Sequence, residues 1–181
     1  MKQVTLKDKT FGISYPENEI QADIDVLASK INWDFHASEE TPIFLSILNG
    51  AFMFTADLVK RVSFPCQISF IKLSSYKGTK STGNVNELIG LNENIEGRSV
   101  IIVEDIVDTG ITLSKLFAEL SKLNPKVIKV ATLLYKPDAY KGTIPIDYIG
   151  KSIPNEFIVG YGLDYDGIGR NLPDIYTLIS E

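Results

Sequence analysis

Val100-Ile101-Ile102-Val103-Glu104-Asp105-Ile106-Val107-Asp108-Thr109-Gly110-Ile111-Thr112 carries the signals on which the fold turns. Four consecutive aliphatic residues suit a strand buried on both faces, the kind found in parallel sheets. The strand predicted over 99–103 ends in Glu104-Asp105, and a turn through Asp108-Thr109-Gly110 leads into a helix over 112–123. Leu113, Leu116, Phe117, Leu120 and Leu123 recur at helical spacing and form its inner face. Strand, turn and helix together place two carboxylates at the carboxyl edge of a sheet, where open α/β folds bind ligands. Backbone N–H groups of the turn and of the helix N-terminus, with the hydroxyls of Thr109 and Thr112, form a phosphate cradle. The Gly-Lys-Ser/Thr ending of a Walker loop is missing. An acidic edge beside such a cradle suits a sugar phosphate, with carboxylates for ribose hydroxyls or a magnesium ion. The plainer alternative is a helix capped by Asp108 or Thr109 with solvated acids before it. An isolated Asp-Thr-Gly would favour that alternative; the thirteen-residue pattern favours the cradle.

Working outward, a helix is predicted from Pro16, with Ile20, Ile24, Leu27 and Ile31 on one face. The apolar run 43–48 reads as a buried strand that stops at Asn49-Gly50, and helical spacing resumes over 51–62 through Phe54, Leu58 and Val62. Further strands are predicted over 67–73 and 127–134. Between the first of these and 99–103 lies a Ser-, Thr-, Lys- and Gly-rich excursion, 74–83, with 84–91 as its returning arm. Strands alternating with helices indicate an α/β fold, a parallel twisted sheet flanked by helices. The last forty-odd residues hold only short β-like runs, 147–150 and 157–161, among Gly, Pro and Asp. They are expected to build a small cap beside the sheet.

The chain has 181 residues, enough for one domain with a real core. Its net charge of −5 lacks the basic excess of a nucleic-acid-binding protein, so no nucleic-acid partner is expected. Cys66 is the only cysteine, which rules out an internal disulfide and a multi-cysteine metal site. Its setting at the start of a strand suggests a bystander thiol. His36 is the sole histidine, in a polar stretch, and reads as a surface residue. The stretch 1–8 lacks the apolar core of a secretion signal, and no apolar run approaches a membrane span. The cytoplasm is the expected compartment and no membrane partner is expected.

Residues 103–112 resemble the phosphoribosyl pyrophosphate motif of the type I phosphoribosyltransferases. Flanking segments resemble the hypoxanthine-guanine branch of that family. Leu48-Asn49-Gly50-Ala51 is similar to its pyrophosphate loop, and Ser74-Ser75-Tyr76 with Ser81-Thr82-Gly83 to its lid. Lys136, Tyr148-Ile149-Gly150, Ile153-Pro154-Asn155-Glu156-Phe157 and 159–165 are similar to its purine-binding end, and the resemblance runs in order from about 42 to 172.

That resemblance implies a single domain over 1–181 with a hood formed by the N-terminal segment and by residues from about 137 to 181. It implies purine salvage: transfer of the 5-phosphoribosyl group from phosphoribosyl pyrophosphate to hypoxanthine or guanine. Asp108 would be the general base managing the N7 proton while N9 attacks. Glu104 and Asp105 would bind the ribose diol and organise magnesium (Mg2+). Thr109, Gly110, Ile111 and Thr112 would hold the 5′-phosphate; Asn49, Gly50 and Arg170 would serve the pyrophosphate, with a cis peptide bond before Asn49. Lys136 would donate to the purine 6-oxo group, Tyr148 would stack on the ring, and Ile149 and Asn155 would offer backbone groups to the base edge. Ser75 and Tyr76 would belong to a lid that excludes water. A homodimer or homotetramer is also implied.

The residues by themselves leave duller roles open. Lys136 reads as a surface lysine ending a strand, Tyr148 as a partly buried aromatic, and Arg170 as one half of a surface ion pair. Two positions depart from the family pattern. Asn49 stands where a basic residue is frequent, and Asn155 stands where an aspartate is common, which removes a candidate second magnesium ligand. The competing class of function is a nucleotide sensor on the same fold, since fold does not dictate activity. A third reading is a transferase for adenine or a pyrimidine, against which Lys136 and the 148–157 segment argue.

Overall fold

In the computed structural model, residues 3–72, 91 and 93–180 are described. The lid residues Ser75 and Tyr76, and the returning arm of the excursion apart from Leu91, lie outside them. Five strands form a parallel sheet: β3 (Ile43–Leu48), β4 (Gln67–Lys72), β5 (Ser99–Val107), β6 (Val127–Tyr135) and β7 (Tyr148–Ser152). Their spatial order is β4-β3-β5-β6-β7. Chain order therefore runs one way from β3 to β4 and the other way from β5 through β6 to β7. The reversal falls between β3 and β5, so a crevice opens between the carboxyl ends of those two neighbours.

Both faces of the sheet are covered, which explains the near-continuous apolar strands. Phe44, Ile101 and Val103 face one core with α1 (Glu17–Phe35) and α2 (Phe52–Val59). Ile43, Leu45, Val100 and Ile102 face the other, with α3 (Ile111–Ser121). The α1 stripe predicted from spacing is buried throughout: Ile20, Ile24, Leu27 and Ile31 are each within 1% of full burial. Each contributes about 1.5–3 kcal/mol of hydrophobic stabilisation. Leu123 departs from expectation. The helix ends at Ser121, and Leu123, beyond its last turn, is 44% exposed.

A second sheet, antiparallel with order β1-β2-β9-β8, joins the two ends of the chain. Its strands are β1 (Gln3–Leu6), β2 (Lys9–Tyr15), β8 (Ile158–Val159) and β9 (Ile175–Ser180). Phe11, Val159 and Tyr176 form its small core. Asp174, just before β9, accepts the Glu17 backbone N–H (2.9 Å) and the Tyr176 hydroxyl (3.1 Å). It thereby satisfies an orphan amide at the start of α1, where Pro16 supplies no capping side chain.

The C-terminal region is not all cap. β7 lies within it yet extends the main sheet, pairing parallel with β6 from Ala131↔Tyr148 to Tyr135↔Ser152. The Asp147 carboxylate helps to place it, accepting from the Val130 N–H (2.8 Å) and from Lys129 (2.7 Å).

Candidate functional site

β5 continues to Val107, beyond the strand predicted from the sequence, so Glu104 and Asp105 lie within the strand rather than after it. Their carboxyl groups hydrogen-bond to each other near its carboxyl end. Asp105 is 9% exposed and packs against the loop that follows β3. A Cβ on Gly50 would lie 1.7 Å from Asp105 Oδ2, so only glycine permits this approach. The Leu48–Asn49 peptide bond is cis, as the family resemblance implied. Gly162, with φ +99°, closes the cluster: a Cβ there would lie 2.0 Å from the Gly50 carbonyl oxygen. Arg170 completes it, donating to the Gly162 carbonyl (2.7 Å) and pairing with Asp164 (2.5 Å).

Glu104 Oε2 is buried with no hydrogen-bond partner among the described residues. Burial, then the neighbouring Asp105, pushes the Glu104 carboxyl well above its ordinary range. Burial also raises Asp105, partly offset by its bonds to Glu104 and backbone amides and by the Arg170 charge. Both shifts favour the protonated form of the pair. An orphaned carboxylate oxygen beside a second acid fits Mg2+, which takes one or two carboxylates and completes its shell with water and phosphate. Among the described residues no three His, Cys, Asp or Glu groups form a metal cage.

Past β5 the chain enters α3 through Gly110, which sits in the left-handed region (φ +79°) and provides no side-chain cap. Neither Asp108 nor Thr109 takes the N-cap position, so the capped-helix alternative fails. The first-turn amides are left for a ligand, and the helix start carries partial positive charge. Residues 104 and 106–113 line a cleft of about 100 Å3 there. One water needs roughly 10–15 Å3 of such space, so the cleft admits a group of several heavy atoms, such as a phosphate. Thr109, Ile111 and Thr112 are exposed at its rim.

Lys136 follows β6 and is only 6% exposed, so it is not a surface lysine. Its ammonium donates to Asp108 Oδ2 (3.2 Å) and to Asn155 Oδ1 (3.4 Å). The Asp108 side chain remains 44% exposed, open to the cleft. A donor and an acceptor thus stand side by side next to the start of α3.

A family profile described as a phosphoribosyl transferase domain matches residues 15–166. The chain belongs to the phosphoribosyltransferase family. It is 44% identical over 165 residues to a hypoxanthine-guanine phosphoribosyltransferase of Mycobacterium tuberculosis, covering 88% of this chain and 82% of that one. It is 42% identical over 171 residues to a hypoxanthine phosphoribosyltransferase of Escherichia coli, covering 94% and 96%. The crystal structure of a hypoxanthine phosphoribosyltransferase from Staphylococcus aureus superposes with a TM-score of 0.84 at 39% identity, covering 93% of this chain and 91% of that one.

In this phosphoribosyltransferase the structure brings Asn49, Gly50, Asp105 and Arg170 to one side of the crevice. Asp108, Thr109, Gly110, Ile111 and Thr112 form the other, with Lys136 and Asn155 beside them. Two expected purine contacts are corrected. Tyr148 is 3% exposed in the main core, and its hydroxyl donates to Asp34 at the end of α1 (2.6 Å), so its ring faces cannot receive a base. Ile149 pairs in register with Thr132, three residues short of the end of β7 and away from Lys136. Among the described residues an exposed aromatic close to Asn155 in sequence is Phe157, 46% exposed and two residues after it. It leans on Phe11 and Tyr165, with ring centroids at 6.0 and 5.8 Å. Its position after the Pro154 turn was the overlooked signal, because Tyr148 is the buried first residue of β7. Asp164, which holds Arg170, lay in the 159–165 segment that resembles the purine-binding end but was given no role of its own, because a single acid does not reveal its partner. Cys66 is partly buried, with its thiol pushed up by burial, and His36 stacks on Trp33 (5.6 Å); neither contributes to the crevice.

Proposed function

We propose that this chain is a purine-salvage enzyme that converts hypoxanthine or guanine and phosphoribosyl pyrophosphate to IMP or GMP and pyrophosphate. One observation carries the reading: the buried Lys136 ammonium stands 3.2 Å from the Asp108 carboxylate. A 6-oxopurine presents O6 and N7 on the same edge. Lys136 donates to O6 and Asp108 accepts from N7–H, so a donor and an acceptor meet one edge together. N9 then attacks the anomeric carbon as its bond to pyrophosphate breaks, and Asp108 takes the N7 proton. Adenine would present an amino donor to the ammonium donor in place of an acceptor, a mismatch that a hydrogen-bonding site rejects strongly.

The 5′-phosphate binds the amides of 110–112 and the hydroxyls of Thr109 and Thr112. Pyrophosphate meets the Asn49-Gly50 loop and Arg170, and Phe157 covers one face of the base. Glu104 and Asp105 hold the ribose diol and Mg2+, which when bound offsets the charge of the departing pyrophosphate. The same reading gives a cytoplasmic enzyme working as a homodimer or homotetramer. Among the described residues no helix is long and apolar enough to cross a membrane.

The test is pyrophosphate release with Mg2+, phosphoribosyl pyrophosphate and, in turn, hypoxanthine, guanine, xanthine and adenine. Turnover with 6-oxopurines and not with adenine is expected. Folded protein that turns over none of the four bases overturns the reading.

A further inference from the structure

Between the phosphate cradle and Lys136 lies an aromatic ring to which no role has been given. Tyr140 sits on the loop between β6 and β7, packed on Tyr135 (centroids 5.6 Å, near edge-on), and its hydroxyl donates to the Ile144 carbonyl (2.6 Å). The space beside it is kept by two glycines. A Cβ on Gly110 would lie 2.3 Å from Tyr140 Cε2, and one on Gly142 would lie 2.7 Å from its hydroxyl oxygen. Gly110 is the N-cap of α3, so the ring lies directly against the residue that aims the cradle's amides. The backbone makes the same connection. Tyr140 N–H donates to the Lys136 carbonyl (3.0 Å), and Lys141 N–H to the Thr109 carbonyl (3.3 Å).

We infer that Tyr140 is a positioning residue that couples the two substrate subsites. Wedged between Gly110 and Gly142, it sets the cradle at a fixed distance from the Lys136 turn. The inference rests on the proposed function and deepens it. Phosphate and purine are joined through one ribose, so the two subsites must hold their separation to within a fraction of an ångström. A misplacement of about 1 Å can cost on the order of a hundredfold in rate. A flat ring held by glycines on two sides is suited to this, because neither neighbour has a side chain that can rotate away.

Tyr140→Phe, Tyr140→Leu and Tyr140→Ala would be compared with wild type for KM and kcat with phosphoribosyl pyrophosphate, for ribose 5-phosphate affinity by calorimetry, and for Tm. Phe keeps the ring and loses only the hydroxyl. It should show a lower Tm with KM within about twofold of wild type. Leu and Ala should raise the KM for phosphoribosyl pyrophosphate roughly tenfold or more, weaken ribose 5-phosphate binding in parallel, and lower kcat as well. Folded Leu variant with wild-type KM and ribose 5-phosphate affinity overturns the inference, as does a Phe variant as impaired in KM as Leu. If wild type shows no turnover but binds ribose 5-phosphate, the functional reading fails, and the Leu and Phe affinities still decide the role of Tyr140. If wild type does neither, both fall.

Discussion

The two ends of the parallel sheet carry similar polar residues and treat them differently. At the amino end, Glu40 accepts from Ser99 (2.5 Å) and pairs with Lys126 (3.1 Å). Lys129 pairs with Asp147 (2.7 Å), and Asp34 accepts from Tyr148 (2.6 Å). At the carboxyl end, among the described residues, Glu104 Oε2 has no partner and α3 begins without a capping side chain, and Asp108 stays open beside a buried ammonium. Cavity size points the other way, about 510 Å3 at the amino end and about 100 Å3 at the carboxyl end. Unmet polar demand, rather than room, marks the functional end. A satisfied polar cluster has little to gain from a ligand, whereas an unsatisfied buried group costs about 1–3 kcal/mol until something binds it.

The sharpest way to break this contrast is Asp108→Asn. Its kcat should fall about 10²–10⁴-fold, and Tm should fall too, because the neutral side chain leaves the buried Lys136 ammonium without its counter-charge. Steady-state pyrophosphate release and a thermal melt check both parts, and a near-wild-type kcat would remove Asp108 as the base. Gly50→Ala comes next. Its Cβ would collide with Asp105, so repacking should cost about 1–3 kcal/mol of stability and raise the KM for phosphoribosyl pyrophosphate.

Glu104→Gln probes the orphaned acid through pH. Burial, then Asp105, raises the folded-state pKa of Glu104 above its ordinary 4.5. The metal-free protein therefore holds this proton more tightly than the unfolded chain does. Stability from that group is present below pH ~4.5 and is lost as pH rises toward the folded value. The Tm of wild type should fall relative to that of Glu104→Gln across this window, and parallel curves would show that the site does not retain the proton. The smallest effect belongs to the amino end. Glu40→Gln should leave kcat and KM unchanged and cost no more than about 1 kcal/mol. Burial pushes Glu40 up, but Ser99 and Lys126 outweigh it and hold the carboxyl below its usual range. Its small contribution is therefore present above that range and lost as pH falls through the folded value. A kinetic defect in Glu40→Gln would mean that the two ends are coupled.

Much of this was legible without coordinates. The strands and helices of the main sheet follow from apolar runs and 3.6-residue spacing, because buried faces must be apolar whatever the partner. The cradle at 108–112 was equally plain, since it is local: one strand, one turn and one helix start supply all of it. Tertiary structure decided what depends on distant partners. β1 and β9 become strands only by pairing with the rest of the second sheet. Lys136 proved buried because Asp108 and Asn155 converge on it. Tyr148 was misread because stacking and burial demand the same residue type, and only its place under α1 separates them. Phe157 and Asp164 lie in segments that resemble the family, but like Tyr140 each acquires its role from neighbours far along the chain. Periodicity records the environment of one segment, whereas a site is assembled from several, and their meeting is a property of the fold.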